Sequence, residues 1–209
     1  MQMKNHTRAS IKGLYAITPD ESNTDILLAK VEAALQGGIS LLQYRNKTAN
    51  HKLKTQQTRA ILLLCRQYDV PLIINDSIKL CLTLDADGVH LGANDGDLAA
   101  ARARLGADKI LGVSCYNRPD LALQAQAAGV DYVAFGACFP SDTKPNAVKA
   151  ELSLFQAELK VPKVAIGGIT LDNAKQATEA GADAVAVINA IFGAKDVAQQ
   201  VRLFSQLFA

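Results

Sequence analysis

Gln43, Arg45 and Lys47 follow one another at alternate positions, directly after the apolar run Leu41-Leu42. In an extended chain successive side chains point to opposite faces, so Leu41, Gln43 and Arg45 share one face and Leu42 and Tyr44 the other. Lys47 lies just past the end. An amide, a guanidinium and an ammonium are thereby delivered to one place, the exit of a hydrophobic strand. That is chemistry for holding a polar, anionic ligand. Two carboxylates, Asp76 and Asp95, follow later apolar runs. Beside a phosphate they would repel it unless a divalent cation bridged them. Hard carboxylate oxygens together with phosphate oxygens suit Mg2+. An aspartate after a strand is also a common helix N-cap, and both readings stand for each of the two.

Other exits carry similar groups. Asn75 precedes Asp76, and Ser114 closes Gly112-Val113-Ser114. Ser141-Asp142-Thr143-Lys144-Pro145 reads as a phosphate flap. Gly167-Gly168 ahead of a helix, and the amides after Ile188-Asn189, would form a second anion site, although paired glycines also serve close packing. His90, between Val89 and Leu91, reads as a satisfied core histidine before a catalytic one.

The elements that must position these groups alternate regularly. Strands are predicted over Gly13–Thr18, from Ser40, and over Pro71–Asp76, Gly88–Gly92, Lys109–Ser114, Asp131–Gly136, Val161–Ile166 and Ala184–Ile188. Helices are predicted over Thr24–Gln36 with Gly37-Gly38 as its cap, Lys52–Tyr68, a short one capped by Ser77, Asp97–Leu105, Pro119–Ala128, Ala150–Leu159, Leu171–Ala180, and a last one ending near Leu207. Residues 1–10 read as a frayed tail before a single catalytic domain over 11–209. The recurrence of Ala-Gly-x-Asp before a strand (Ala128-Gly129-Val130-Asp131, Ala180-Gly181-Ala182-Asp183) supports a repeated βα unit. Eight strands alternating with helices predict a single-domain α/β fold, a closed (β/α)8 TIM barrel, with an open doubly wound sheet as the alternative.

Composition narrows the function classes. The 209 residues are 49% hydrophobic and 20% charged, with a net charge of +2. Nothing in bulk charge favours nucleic acid or a membrane surface, and no run of about 18 apolar residues is present to span a bilayer. The first residues lack the apolar core of a secretory signal. Cys65, Cys81, Cys115 and Cys138 are widely spaced, read as small buried hydrophobes, and make a reduced cytoplasmic compartment the expectation. Small-molecule ligands are the expected partners; whether the chain forms a homo-oligomer is left open.

The motifs resemble, in order and with matching spacing, those of the thiamine-phosphate synthase family: Gly13-Leu14-Tyr15, Gln43-Tyr44-Arg45-Asn46-Lys47, Ile74-Asn75-Asp76, Gly88-Val89-His90-Leu91-Gly92 with Asp95, Gly112-Val113-Ser114, Phe139 to Pro145, and Ala165-Ile166-Gly167-Gly168-Ile169. The resemblance runs from about Gly13 to Phe192. It implies a transferase of thiamine biosynthesis that joins hydroxymethylpyrimidine diphosphate to a thiazole phosphate. It implies that the Gln43–Lys47 stretch, with Tyr44 and Asn46, and Asn75 contact the pyrimidine diphosphate, that Asp76 and Asp95 hold Mg2+, and that Ser114 lies by the pyrimidine. Ser141, Thr143, Gly168, Ile188 and Asn189 would bind the thiazole phosphate and Lys144 the diphosphate. Arg45, Lys47 and Lys144 would be the catalytic cations. Three departures stand out: Ala93 where the family usually has Gln, Ser141 where Thr is commoner, and Asn189 where Ser is usual. The alternatives are a thiazole tautomerase of the same barrel, a non-catalytic phosphate-ligand binder, and a phosphosugar isomerase or epimerase, for which no facing acid and base pair is evident.

Overall fold

The computed structural model describes residues 11–92, 96–140 and 148–208. Eight parallel strands, β1 (Gly13–Ile17), β2 (Leu41–Tyr44), β3 (Leu72–Asn75), β4 (Gly88–Gly92), β5 (Ile110–Tyr116), β6 (Tyr132–Phe135), β7 (Lys163–Ile166) and β8 (Ala184–Val187), pair in sequence order and close into a barrel. Closure runs through β1 and β8, with Gly13 opposite Ala184 and Ala16 opposite Val187. The helices are α1 (Thr24–Gly37), α2 (His51–Gln67), α3 (Ile78–Leu84), α4 (Leu98–Leu105), α5 (Pro119–Ala127), α6 (Leu171–Glu179), α7 (Asn189–Phe192) and α8 (Val197–Ser205).

Strand alternation sorts the apolar residues into two layers. Tyr15, Leu41, Ile73, Ile110, Tyr132, Val164 and Ala184 pack on one another inside the barrel. Leu42, Ile74, Val89, Leu111, Val133 and Val185 face outward onto the helices, with Leu27, Val31, Ile61, Val201 and Phe204. The interior is tight enough to dictate a glycine. A side chain at Gly112 would overlap the ring of Tyr132, its neighbour on the adjacent strand β6.

The amino-terminal end of the barrel is built by repetition. Asp87, Asp131 and Asp183, each just before an even-numbered strand, accept an amide from the start of the preceding strand: Leu72, Leu111 and Lys163, all at 2.8 Å. The Ala-Gly-x-Asp recurrence covers two of these, and Asp87 is a third that lacks the Ala-Gly lead. Arg102 adds a staple, donating to the carbonyls of Gly129 (3.0 Å) and Lys109 (2.7 Å) and pairing with Asp131.

Two predicted helices differ. Ala150–Leu159 contains only a 3-10 turn, Leu152–Gln156. The carbonyls of Phe155 and Ala157 are taken by the Lys163 ammonium rather than by amides one helical turn on. The last helix is broken. Gly193 ends α7, and Asp196 starts α8 by accepting from the Gln199 amide. Caps expected from sequence are present at Ser77, which accepts from Leu80, and at Gly38, left-handed at φ 94°.

Candidate active site

The carboxyl ends of the strands gather the polar groups, as the barrel geometry requires. Arg45 follows β2 directly and is held from β1. Its amide donates to Thr18 Oγ1, and Thr18 Oγ1 donates back to its carbonyl, both at 2.9 Å. Its guanidinium meets Asp20 Oδ1 at 3.3 Å, and the same oxygen accepts the Lys47 amide at 2.7 Å. Thr18 and Asp20 thus hold the Arg45 backbone and guanidinium and the Lys47 backbone at the β2 exit. Asp20 carried no signal in the sequence, because it touches its partners across 25 and 27 residues.

Tyr44 and Asn46 face the other way. The Tyr44 hydroxyl donates to Gln57 Oε1 on α2 at 2.8 Å, and burial raises its pKa well above the ordinary phenol. Asn46 donates to the Glu21 carbonyl and to the same Gln57 oxygen, and its own oxygen accepts from Thr48 and Ala49. Gln57 completes the junction by donating to the Glu21 carbonyl at 2.9 Å. Both residues therefore belong to packing between the β1 and β2 exits and α2. The reason is strand alternation: Tyr44 is one position out of phase with Gln43. Gln57 was not legible as functional, being one amide in an amphipathic helix.

Gln43 points inward and is 3% exposed. Its Nε2 donates to the Tyr15 hydroxyl at 2.7 Å, which meets the Tyr132 hydroxyl at 2.8 Å. Tyr132 reaches His90 Nδ1 at 2.9 Å, and His90 Nε2 reaches Ser114 Oγ at 2.8 Å. A continuous hydrogen-bonded line, buried up to its part-buried end at Ser114, thus crosses the barrel beneath its mouth. Tyr132 also stacks on the imidazole, with ring centroids 5.6 Å apart. His90 is a partnered core histidine, as its mid-strand place suggests.

Asn75 ends β3, opposite His90 on β4. Asp76 follows in the left-handed region at φ 60°, its amide on the His90 carbonyl, its side chain exposed. Among the described residues no donor or cation contacts that carboxylate. It is not a helix cap either, since Ser77 fills that place. A single unpartnered carboxylate at the mouth fits a hydrated Mg2+, which takes one or two protein carboxylates. Asp95, Ser141, Thr143 and Lys144 lie outside the described residues. Gly167 and Gly168 have φ of 97° and 64°, and a side chain on Gly168 would strike the Phe139 and Pro140 carbonyls. Packing against the segment after β6 therefore accounts for that glycine, whatever it binds. Ile188 lies between β8 and α7 as the cap of that helix, and Asn189 opens α7. All four cysteines are buried, and burial pushes Cys81 and Cys115 up to about 12 and Cys138 to about 11. Burial of this kind disfavours the thiolate form at each of them.

Arg45 and Lys47 thus stand above a hydrogen-bonded floor at the carboxyl end of a closed barrel, the place where (β/α)8 enzymes carry their active sites. A family model for thiamine monophosphate synthase matches residues 14–191. Thiamine-phosphate synthase of Methylobacillus flagellatus is 57% identical over 99% of this chain and 100% of its own length. That of Nitrosospira multiformis is 52% identical, covering 96% and 87%. Among solved structures, thiamine phosphate pyrophosphorylase from Pyrococcus furiosus superposes with a TM-score of 0.84 at 33% identity, covering 96% of each chain. The chain belongs to the thiamine monophosphate synthase family.

Proposed function

We propose that this protein is a transferase that joins 4-amino-5-hydroxymethyl-2-methylpyrimidine diphosphate to 4-methyl-5-(2-phosphoethyl)thiazole, giving thiamine phosphate and diphosphate. The alternative thiazole substrate is its 2-carboxylated form, with loss of CO2. The observation that carries the reading is the placement of Arg45 and Lys47, held by Thr18 and Asp20, beside the hydrogen-bonded line from Gln43 to Ser114. The cations suit a departing diphosphate, and the hydrogen-bonding floor suits a flat heterocycle.

In the reaction the bond from the pyrimidine methylene carbon to the diphosphate oxygen breaks, and its electron pair leaves with diphosphate. The thiazole nitrogen supplies the pair for the new C–N bond. Electron donation from the aminopyrimidine stabilises the methylene cation, so no strong base or nucleophile is required of the protein. Arg45 and Lys47, with Lys144, draw off the developing negative charge. Gln43, Asn75 and Ser114 orient the ring, and Ser141, Thr143, Gly168 and the Ile188-Asn189 amides hold the thiazole phosphate, so that the two partners meet in line. Asp76 and Asp95 would hold Mg2+, which neutralises diphosphate charge when bound.

The test is direct. Incubated with both purified substrates, the protein forms thiamine phosphate and releases diphosphate in equal amounts, and chelation of divalent cations abolishes both. Thiazole-phosphate binding without diphosphate release would overturn the reading in favour of a non-catalytic binder.

A further inference from the structure

We infer that the line from Gln43 to Ser114 is proton-ordered, and that His90 is a positioning residue which, as the Nε2–H tautomer, turns the Ser114 hydroxyl into a donor toward the barrel mouth. The inference deepens the proposed function and rests on it for the ligand's identity, but the ordering itself follows from counting hydrogens.

The line has four contacts: Gln43 to Tyr15, Tyr15 to Tyr132, Tyr132 to His90 Nδ1, and His90 Nε2 to Ser114. Each needs one hydrogen. An amide nitrogen can only donate, so Tyr15 accepts from Gln43 and spends its own hydrogen on Tyr132. Tyr132, having accepted, spends its hydrogen on Nδ1. Nδ1 must then be bare, and the imidazole proton resides on Nε2, where it is donated to Ser114. The Ser114 hydrogen is left over. With Gln43 so placed, any other arrangement leaves a phenol hydrogen without this line's acceptor in a barrel interior where both tyrosines are buried, and an unmade buried bond costs more than a made one returns. Burial raises the pKa of both phenols, which keeps their hydrogens in place.

Left over at the two ends are the Ser114 hydroxyl hydrogen and, on Gln43, Oε1 and the second Nε2 hydrogen, for which the described residues supply no hydrogen-bond partner. A donor on β5 and an acceptor on β2 are complementary to a heterocycle carrying a ring nitrogen and an amino group. The polarity is set by one group. Reversing the Gln43 amide reverses every bond, puts the imidazole proton on Nδ1, and makes Ser114 a donor to His90 instead of to a ligand.

The tautomer is therefore the measurement. In protein labelled with 15N-histidine, two-bond and three-bond nitrogen–proton couplings assign each ring, and the chain has only three histidines. His90→Leu identifies its signals by their loss. We expect neutral His90 with the proton on Nε2. A proton on Nδ1 overturns the proposal without touching the synthase assay, and absence of synthase activity leaves the tautomer result standing. Kinetics supply a second arm. His90→Gln keeps an N–H able to reach Ser114 and should retain the wild-type KM for the pyrimidine diphosphate within a few-fold, while His90→Leu raises it by about tenfold or more, the range of one lost hydrogen bond. The thiazole phosphate KM should be unchanged in both. Equal loss in both variants, or equal effects on both substrates, would reduce His90 to a packing residue.

Discussion

Arg45 owes its aim to residues that follow another strand, β1. Its backbone is gripped twice by Thr18 and its guanidinium lies on Asp20, which also holds the Lys47 amide. The pair is only partly exposed, at 20% and 34%, so its worth lies in geometry more than in stability. Asp20→Ala should leave the fold intact and raise KM for the pyrimidine diphosphate several-fold, whereas Arg45→Ala should lower kcat by roughly 10²–10³, as loss of a charge-stabilising donor does. Steady-state kinetics on the two variants separate these effects, and an Asp20→Ala enzyme as impaired in kcat as Arg45→Ala would make Asp20 itself catalytic. Asp76 allows a cleaner substitution than alanine. It sits at φ 60°, a region that Asn tolerates as well as Asp. Asp76→Asn therefore removes the charge without adding backbone strain. We expect its thermal midpoint to stay near wild type and its Mg2+-dependent turnover to fall by roughly 10² or more. Wild-type turnover with the usual Mg2+ requirement would remove Asp76 from the metal site.

At the level of elements, the aspartates before β4, β6 and β8 act as a repeated clamp. Asp131 is the most heavily used, accepting the Leu111 amide and pairing with Arg102. Asp131→Ala should cost about 2–3 kcal/mol, the range for a hydrogen bond to a charged group whose buried partner is left unmet, measured as a shift in the urea midpoint at unchanged slope. Loss of less than about 0.5 kcal/mol would mean that water replaces the carboxylate there. These elements also mark what the sequence could disclose. Short apolar runs between helical stretches made the barrel legible, because buried parallel strands need no polar face. The β2 exit was legible because alternation places Gln43 and Arg45 together. The rest depends on partners distant in sequence. Tyr15 and Tyr132 meet across 117 residues, and each alone looks like ordinary strand filling. Tyr44 and Asn46 looked like site residues by adjacency, yet the pleat turns Tyr44 to α2 and a side-chain junction with Gln57 takes Asn46. Ala150–Leu159 looked helical because nothing local announces that Lys163 will claim its carbonyls.

For the whole molecule, one consequence of the closed barrel is an alkaline limit. Burial raises the pKa of Tyr15, Tyr44 and Tyr132 from an ordinary 10.0. It likewise raises the four thiols from 9.0, with Cys138 reaching about 11 and Cys81 and Cys115 about 12. In the unfolded chain these groups lose protons near their ordinary values, while in the barrel they keep them. The native state then binds more protons than the unfolded state, so stability falls as pH rises. The contribution is fully present below about pH 9 and is lost above it, first as the thiols and then as the phenols ionise in the unfolded chain. Each group ionised only in the unfolded state removes ~1.4 kcal/mol per pH unit. Urea midpoints should be level from neutrality to about pH 8 and fall with increasing slope beyond about pH 9 and again beyond about pH 10. Tyr132→Phe, though less stable at neutral pH for want of its hydroxyl contacts, should lose stability less steeply above pH 10, having one such group fewer. Native-state phenolate absorbance should stay low over the same range. Midpoints that remained level to about pH 11, with phenolate appearing in the folded protein near its ordinary value, would show that water reaches the tyrosine pair and that the floor of the site is open.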